Sequence, residues 1–490
     1  MTAMRLKKEP KLAPKLEAFQ YQTEAAEAIR DLPYGAVFHE QGLGKSKIAV
    51  DIILYWLETH VVDTVILVAK KGLIENWKRE LGRHSYLSPR VLSSNRRDNY
   101  FVLNSPARII LTHYEAVRAE QARLKLFLKA RKVAVVLDES TKIKNPESDI
   151  TKAFFDLAPL FVRRVILTGT PVANRPYDLW AQIYFLDQGK ALGTKFAEFK
   201  REYDLSNNMA HDPAAQRQFE RSLQDVRGKL SAFSVRENKN SKFIQLPAKS
   251  VQTVWVDWEP TQYDLYLQYR DSLGAIVVKE GIPSEDRADD LLKRLLRLVQ
   301  IASNPKLVDS GYNHDPGKWT VLVDLLDQIR AQHQKAIVWT TFTDNADWLK
   351  ARLNYLGAAA VHGGMTMDDR NRSVQKFLES EDCKVLVATP GAAKEGLTLT
   401  VANHVIFFDR SFSLDDYLQA QDRIHRVSQT RECFVYNLMM QDSVDGWIDV
   451  LLHAKRMAAQ LAQGDISLEY YQSQMSYSFG EVLKGILNIG

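Results

Sequence analysis

The sequence predicts an α/β protein built as two parallel-sheet lobes, with a mostly helical insertion between them and a helical C-terminal tail. Three observations carry that reading. Short β-branched runs alternate with helical stretches in the first third of the chain, the alternation returns in the last third, and the β signal thins in between.

The first set comprises "YGAVFHE", "DTVILVAKK", "ARIILTHYE", "KVAVVLDES" and "RRVILTGTP". Each run is too short and too β-rich for a buried helix, and helical stretches such as "KIAVDIILYWLETH" separate them. That alternation produces a parallel sheet covered by helices. Between Arg175 and Ser310, "LLKRLLRLVQIASNP" reads as an amphipathic helix stopped by Pro305. The second set is "KAIVWTTF", "AAAVHGG", "KVLVATPGAA", "NHVIFFDRS" and "ECFVYNLMM", and the tail beyond Trp447 is helical again. The expected divisions are 1–185 for the first lobe, 186–310 for the insertion, 311–445 for the second lobe and 446–490 for the tail. No short-period repeat or low-complexity tract interrupts this plan.

Composition narrows the classes. At 490 residues the chain exceeds what one hydrophobic core usually serves, and 45% apolar with 26% charged residues is ordinary for a globular protein. No apolar run reaches bilayer length, and the basic opening "MTAMRLKKEPKLAPKL" lacks the apolar core of a secretory signal. A membrane is therefore not an expected partner. Cys383 and Cys433, the only cysteines, exclude a disulfide framework or a cysteine-built zinc module and suit a reducing compartment. A net charge of +5 permits a polyanionic partner without requiring one.

"HEQGLGKSKIAV", from His39 to Val50, approaches the phosphate-loop pattern G-x-x-x-x-G-K-[ST], with a histidine in place of the first glycine. Alone, the fragment is ambiguous, because Gly-x-Gly before Lys-Ser also occurs in ordinary turns. Its context fits a phosphate cradle: a strand precedes it, Gly42 and Gly44 let backbone N–H groups approach an anion, Lys45 brings charge, and a helix follows. Ser46 then offers its hydroxyl to a Mg2+ ion. "VAVVLDES" puts Asp138 and Glu139 at the carboxyl end of a strand, the edge where α/β sheets bind ligands. Asp138 is the candidate metal anchor and Glu139 the candidate for polarising the attacking water. A lone Asp-Glu is more commonly a solvated turn, but a phosphate loop about 90 residues upstream argues against that. In "QAQDRIHRVSQ", Arg423 and Arg426 lie three apart, so on a helix they face the same way and could offer positive charge to a γ-phosphate. Taken alone, such a pair is more often solvent-facing.

The order of these motifs resembles the superfamily-two helicase fold and, within it, the Swi/Snf-type ATPases and translocases in their minimal bacterial or phage form. "FQYQTEAAEAI" resembles the adenine-reading segment with Gln22, "HEQGLGKS" motif I, and "ILVAKKGLIENWKREL" motif Ia. "IILTHYEAV" resembles motif Ib, "VVLDESTKIKN" motif II, and "VILTGTPVANRPYDLWAQIYFL" motif III with its extension. "LLRLVQIASNPKLV" is similar to the helical signature before lobe two, and "VHGGMTMDDRNRSVQKF" and "VATPGAAKEGLTLTVANHVIFFD" to motifs IV-a and V. "QAQDRIHRVSQ" is similar to motif VI, so the resemblance runs from about Leu16 to about Gln429. Members of this family commonly lack the first glycine, which makes His39 a variant within the pattern. There are departures: Asp-Glu-Ser-Thr stands where relatives often have Asp-Glu-Ala-His, Lys70 replaces a common proline, Ala393 and Lys394 stand at frequent glycines, and Phe412-Ser413 replaces a usual Trp-Asn.

The resemblance implies two RecA-like lobes that hydrolyse ATP, with Mg2+, while tracking along double-stranded DNA and remodelling or displacing DNA-bound proteins. It implies Gln22, Gly42, Gly44, Lys45, Ser46, Asp138 and Glu139 from lobe one, and Gln419, Arg423 and Arg426 from lobe two. Candidate contacts to DNA phosphates are Lys70, Lys71, Thr112, Thr168, Thr170, Thr389 and Lys394, groups that fix position without reading bases. The expected state is a DNA-associated monomer in the cytoplasm of a bacterial or phage-infected cell. Two alternatives stay open: a strand-separating DNA or RNA helicase of the same fold, and an ATP-binding scaffold on DNA without productive hydrolysis.

Overall fold

The computed structural model describes residues 9–172, 175–203, 213–239, 246–280, 288–393, 399–426 and 428–474. The chain divides into two compact units. The first comprises Met1–Asn207, Ala214–Gln245 and Ala458–Tyr471, and the second is built on Leu246–Met457. The expected insertion is thus shared between the units, and part of the tail belongs to the first.

The first unit carries a seven-stranded sheet in the order β3-β4-β2-β5-β6-β1-β7, parallel throughout. Its strands are β1 (Tyr34–Val37), β2 (Thr64–Ala69), β3 (Arg90–Val91), β4 (Ile109–His113), β5 (Val133–Asp138), β6 (Arg163–Leu167) and β7 (Ser234–Val235). Every residue of β2 and β4 is buried, the continuous apolar pattern of strands covered on both faces. Helices α1 (Gln20–Arg30), α2 (Lys45–Glu58), α3 (Ile74–His84) and α4 (Trp180–Asp187) belong to this unit. Ile48, Ile52 and Trp56 of α2 pack with Val65, Leu67 and Leu111 in one core, each such side chain stabilising by about 1.5–3 kcal/mol. The register fixes what meets at the carboxyl edge. Leu167 of β6 pairs with Val37 on one side and with Asp138 on the other. The loop after β1, the acidic end of β5 and the turn after β6 therefore emerge side by side.

The second unit carries a six-stranded parallel sheet ordered β10-β11-β9-β12-β13-β8. It consists of β8 (Lys249–Val256), β9 (Ala336–Trp339), β10 (Ala359–Val361), β11 (Val385–Ala388), β12 (His404–Phe407) and β13 (Cys433–Met440). The anticipated helix forms as α5 (Ala288–Ser303) and gives way to a 3₁₀ turn at Pro305. Leu298 and Val299 of α5 share a core with Val338, Ile406 and Leu438, while Ile337, Trp339, Val405 and Phe407 face the opposite layer. Helices α6 (Leu414–Gln421) and α7 (Val444–Gln463) follow in this part of the chain.

All ten runs identified in the sequence form strands, and among the described residues three further strands, β3, β7 and β8, were not anticipated. The longest of these, β8, is a sheet edge whose Val251, Gln252, Thr253 and Trp255 are exposed, so its composition lacks a buried strand's signature. Both cysteines are buried free thiols. Among the described residues, no helix is long and apolar enough to cross a membrane.

Candidate nucleotide site

The phosphate-loop sequence forms a turn between β1 and α2. Its backbone needs a left-handed conformation at Gly42 (φ 85°) and Gly44 (φ 71°), where glycine carries no steric penalty. His39 is not among the residues with positive φ, so the backbone does not require a glycine there. Its ring is buried and packs 6.0 Å from that of Tyr21. Burial, with Lys45 and Arg236 nearby, lowers its pKa to about 3 and keeps the imidazole neutral.

Lys45 begins α2, and its ammonium donates to the carbonyls of His39 (2.9 Å) and Glu40 (3.3 Å). Ser46, half-buried, follows in the same first turn. Gln22 of α1 lies directly against the loop. Its Oε1 accepts from the Phe19 amide at 3.1 Å, and its Nε2 donates to the Leu43 carbonyl at 3.2 Å. A Cβ at position 44 would fall 2.3 Å from that Nε2, a second reason for glycine there.

Asp138 ends β5. Its Oδ2 accepts from the Trp77 indole at 2.8 Å, and its carbonyl accepts from the buried Tyr114 hydroxyl at 2.7 Å. Burial and the adjoining Glu139 push the Asp138 carboxyl up to about 6, against the pull of Trp77, Lys45 and Lys70. Such a strained acidic pair suits a divalent cation, which would relieve that repulsion, so these residues fit Mg2+. Glu139 adopts a left-handed backbone (φ 53°, ψ 55°). Its Oε1 accepts from Gln41 Nε2 at 3.1 Å, joining the phosphate loop to the acidic pair, and its buried Oε2 has no protein partner among the described residues.

The loop has a second support. Phe38 and Glu40 donate backbone N–H bonds to Val235 and Glu237 (2.8 and 2.9 Å), continuing the β1–β7 pairing. Arg236 donates to the Phe38 carbonyl at 2.7 Å and pairs through two nitrogens with Asp465, at 2.7 and 2.5 Å. Gln41, Trp77, Tyr114, Arg236 and Asp465 all escaped the sequence reading. Only Gln41 had a local signal, its place inside the loop.

In the second unit the arginine reading requires correction. Helix α6 ends at Gln421, and Arg423 and Arg426 lie in the turns beyond it rather than on one helical face. The turn is held by its own polar groups. Arg426 Nε donates to the Asp422 carbonyl at 2.8 Å, and the Leu399 amide donates to the Arg423 carbonyl at 3.1 Å. Gln429 Nε2 donates to the carbonyls of Ala402 and Ile424, at 3.0 and 3.1 Å. A spacing of three suits such turns as well as a helix. Arg423 is buried and Arg426 half-buried. Gln419, on α6, donates to Asp415 at 2.7 Å. Nearby, the His425 ring lies 3.0 Å from the Pro247 carbonyl, and Lys249 donates to Gln421 at 3.2 Å.

The phosphate-contact candidates separate by chemistry. Lys71 is exposed and Lys70 half-buried, both directly after β2. Of the threonine candidates, Thr112 and Thr168 are fully buried, and Thr170 and Thr389 nearly so. Thr112 points into the strand layer and donates to the Leu92 carbonyl at 3.1 Å, while the Thr168 hydroxyl accepts from the Thr170 amide at 3.2 Å. Lys394 lies outside the described residues.

Among relatives, an uncharacterized ATP-dependent helicase of Mycoplasma genitalium is 27% identical over 435 residues, covering 87% of this chain and 40% of that protein. The ATP-dependent DNA helicase DDM1 of Arabidopsis thaliana is 23% identical over 440 residues, covering 84% of this chain and 57% of its own. The chain thus spans roughly half the length of these relatives or less. The Sulfolobus solfataricus SWI2/SNF2 ATPase core in complex with dsDNA aligns over 99% of this chain and 100% of that one, at 25% identity and a TM-score of 0.43. A helicase conserved C-terminal domain matches residues 317–428. The SNF2-related domain matches residues 26–307, more than half of the sequence, and the chain belongs to that family.

Proposed function

We propose that this protein is an ATP-dependent translocase on double-stranded DNA, using nucleotide turnover to move along the duplex and remodel or displace DNA-bound proteins. The observation that carries the reading is the Gln41–Glu139 hydrogen bond, which joins a glycine-turned phosphate loop to an acidic pair at the end of the neighbouring β5. In this reading the loop amides and Lys45 hold the ATP phosphates, with the Lys45 ammonium exchanging its carbonyl partners for phosphate oxygens. Gln22 reads adenine by exchanging its bond to Leu43. Glu139 presents Oε2 to the attacking water. Ser46 and Asp138 would hold Mg2+, which when bound neutralises charge on the phosphates. Arg423 and Arg426, with Gln419 beside them, are the candidates for the further positive charge from which phosphoryl transfer gains.

Lys70 and Lys71 are the favoured contacts to DNA phosphates. Ammonium groups at a sheet edge bind backbone without reading sequence, so affinity should fall with salt and depend little on base order. The test compares ATP hydrolysis without nucleic acid and with single-stranded DNA, duplex DNA or RNA, alongside displacement of a third strand from a triplex. Duplex-stimulated turnover with triplex displacement is expected. Strand separation without triplex displacement would make the protein a helicase, and nucleotide binding without turnover would make it a scaffold.

A further inference from the structure

Glu139 is the one non-glycine residue of the nucleotide site held in the left-handed region, and a closed chain of contacts surrounds it. Its carboxylate is fixed by Gln41 at 3.1 Å. Gln41 in turn lies against Gly169 in the turn after β6, where a Cβ would come within 2.8 Å of the Gln41 side chain and 2.9 Å of its backbone nitrogen. Two residues on, the Pro171 carbonyl accepts from Gln182 Nε2 at 3.0 Å. Gln182 Oε1 accepts from the Ser140 hydroxyl at 2.7 Å, and Ser140 directly follows Glu139. The contacts therefore run from Glu139 through the phosphate loop, the post-β6 turn and α4, and return to Glu139.

Ser140 and Gln182 are both completely buried, and the Gln182 amide is fully engaged, because Nε2 also donates to the Asp178 carbonyl at 2.9 Å. A left-handed conformation in a residue with a side chain persists only where its surroundings over-determine it. Here one restraint acts on the carboxylate and the other on the next residue.

We propose that Ser140 and Gln182 are positioning residues for Glu139: their buried hydrogen bond fixes the turn that aims its carboxylate and ties that aim to the turn after β6. The proposal rests on the reading of Glu139 as the water-orienting group. Neither residue touches substrate. Cutting the bond should let Glu139 swing from its aligned position, a displacement of the kind that costs about 10–10²-fold in rate. Nucleotide binding, made by the loop and Lys45, should be little changed.

The experiment measures kcat and KM for ATP with saturating duplex DNA, and the urea midpoint, for Ser140→Ala, Gln182→Met and the double variant. Each single variant should lower kcat about 10–10²-fold with KM within about twofold. Ser140→Ala leaves Gln182 Oε1 unpaired, and Gln182→Met leaves the Ser140 hydroxyl and the Pro171 and Asp178 carbonyls without their partner, so each should also lower the midpoint; the double variant removes the Ser140 hydroxyl as well and should recover part of the loss relative to Gln182→Met. Recovery of stability without recovery of kcat supports positioning. Recovery of kcat together with stability would reduce the pair to a structural bond and overturn the proposal, as would unchanged kcat in both single variants. Ser140→Thr, which retains the hydroxyl, should return kcat towards wild type and guards against a Ser140→Ala chain that does not fold. Glu139→Gln is measured in parallel, because wild-type turnover there would remove the water-orienting assignment itself, a failure distinct from that of the pair.

Discussion

The two units hold their candidate functional groups by different means. In the first, the phosphate loop is shaped by main chain: positive φ at Gly42 and Gly44, a helix starting at Lys45, and N–H bonds from Phe38 and Glu40 to the β7 segment. In the second, the arginines sit past the end of α6 in a turn held by side chains bonded to carbonyls, through Arg426 and Gln429. A main-chain site leaves a sequence trace, because glycine is demanded where φ is positive. A site built from side chains capping carbonyls leaves only polar residues at plausible spacings, which is why the arginine turn reads as a helix.

The largest effects should come from breaking each half. Lys45→Ala should abolish turnover, and Glu139→Gln should lower it by about 10²–10⁴-fold while leaving ATP bound. Arg426→Ala should lower turnover by about 10³-fold or more with duplex affinity nearly intact, since affinity is spread over many phosphates. Nucleotide binding, turnover and duplex binding measured on the same variants separate these roles. Loss of duplex binding in Arg426→Ala, with DNA-independent hydrolysis retained, would make the turn a DNA-contacting surface. Arg423 sharpens the contrast: being buried, its removal should cost about 1–3 kcal/mol of stability in addition to turnover, measured by urea unfolding.

Much of the fold was legible because buried parallel strands such as β2 and β5 are short runs rich in β-branched residues, and the phosphate loop and acidic pair follow such runs directly. Long-range polar pairing was not. Ser303 and Thr340 both donate to Asp409 at 2.6 Å, and Asn345 links Ser303 to Asn304, so "IASNP" is anchored in the second unit by partners about 40 to 100 residues away. The fully buried Lys318 pairs with Asp445 at 2.6 Å with no local signal in either stretch. Arg236 and Asp465 are 229 residues apart, and nothing in "VREN" or "GDIS" announces the other.

That latch gives the next test. Asp465→Asn should destabilise the first unit by about 1.5–3 kcal/mol, the range for hydrogen bonds to a charged group, because Arg236 keeps Phe38 but loses its carboxylate. Urea unfolding of the full chain, followed by the fluorescence of its nine tryptophans, reads it. An unchanged midpoint would show that the tail does not brace the loop.

A subtler effect concerns Asp138, whose pKa is raised to about 6 from an ordinary value of 3.8. The folded state then binds the proton more tightly than the unfolded state, so this group's penalty is present above pH 6 and is relieved as pH falls through 6 towards 3.8. Without nucleotide or metal, Asp138→Asn should therefore be more stable than the natural chain at pH 7.5, with the advantage shrinking as pH falls below 6. A gain independent of pH would place its origin elsewhere than the carboxylate charge.

The smallest effects test the proposed DNA contacts. Lys71 is an exposed ammonium, and its replacement by alanine should weaken duplex binding about equally for all sequences and reduce the magnitude of the log–log salt slope by about one. Thr112 comes from the same sheet, but its hydroxyl is committed to Leu92 inside the protein. Thr112→Val keeps the shape and leaves the Leu92 carbonyl without that donor, so it should cost about 1 kcal/mol of stability and leave the salt slope unchanged. Titrating duplex DNA at several salt concentrations against both variants decides between them. A reduced slope in Thr112→Val would mean that the hydroxyl leaves Leu92 for a phosphate when DNA binds, and would restore the threonine to the DNA-contacting set.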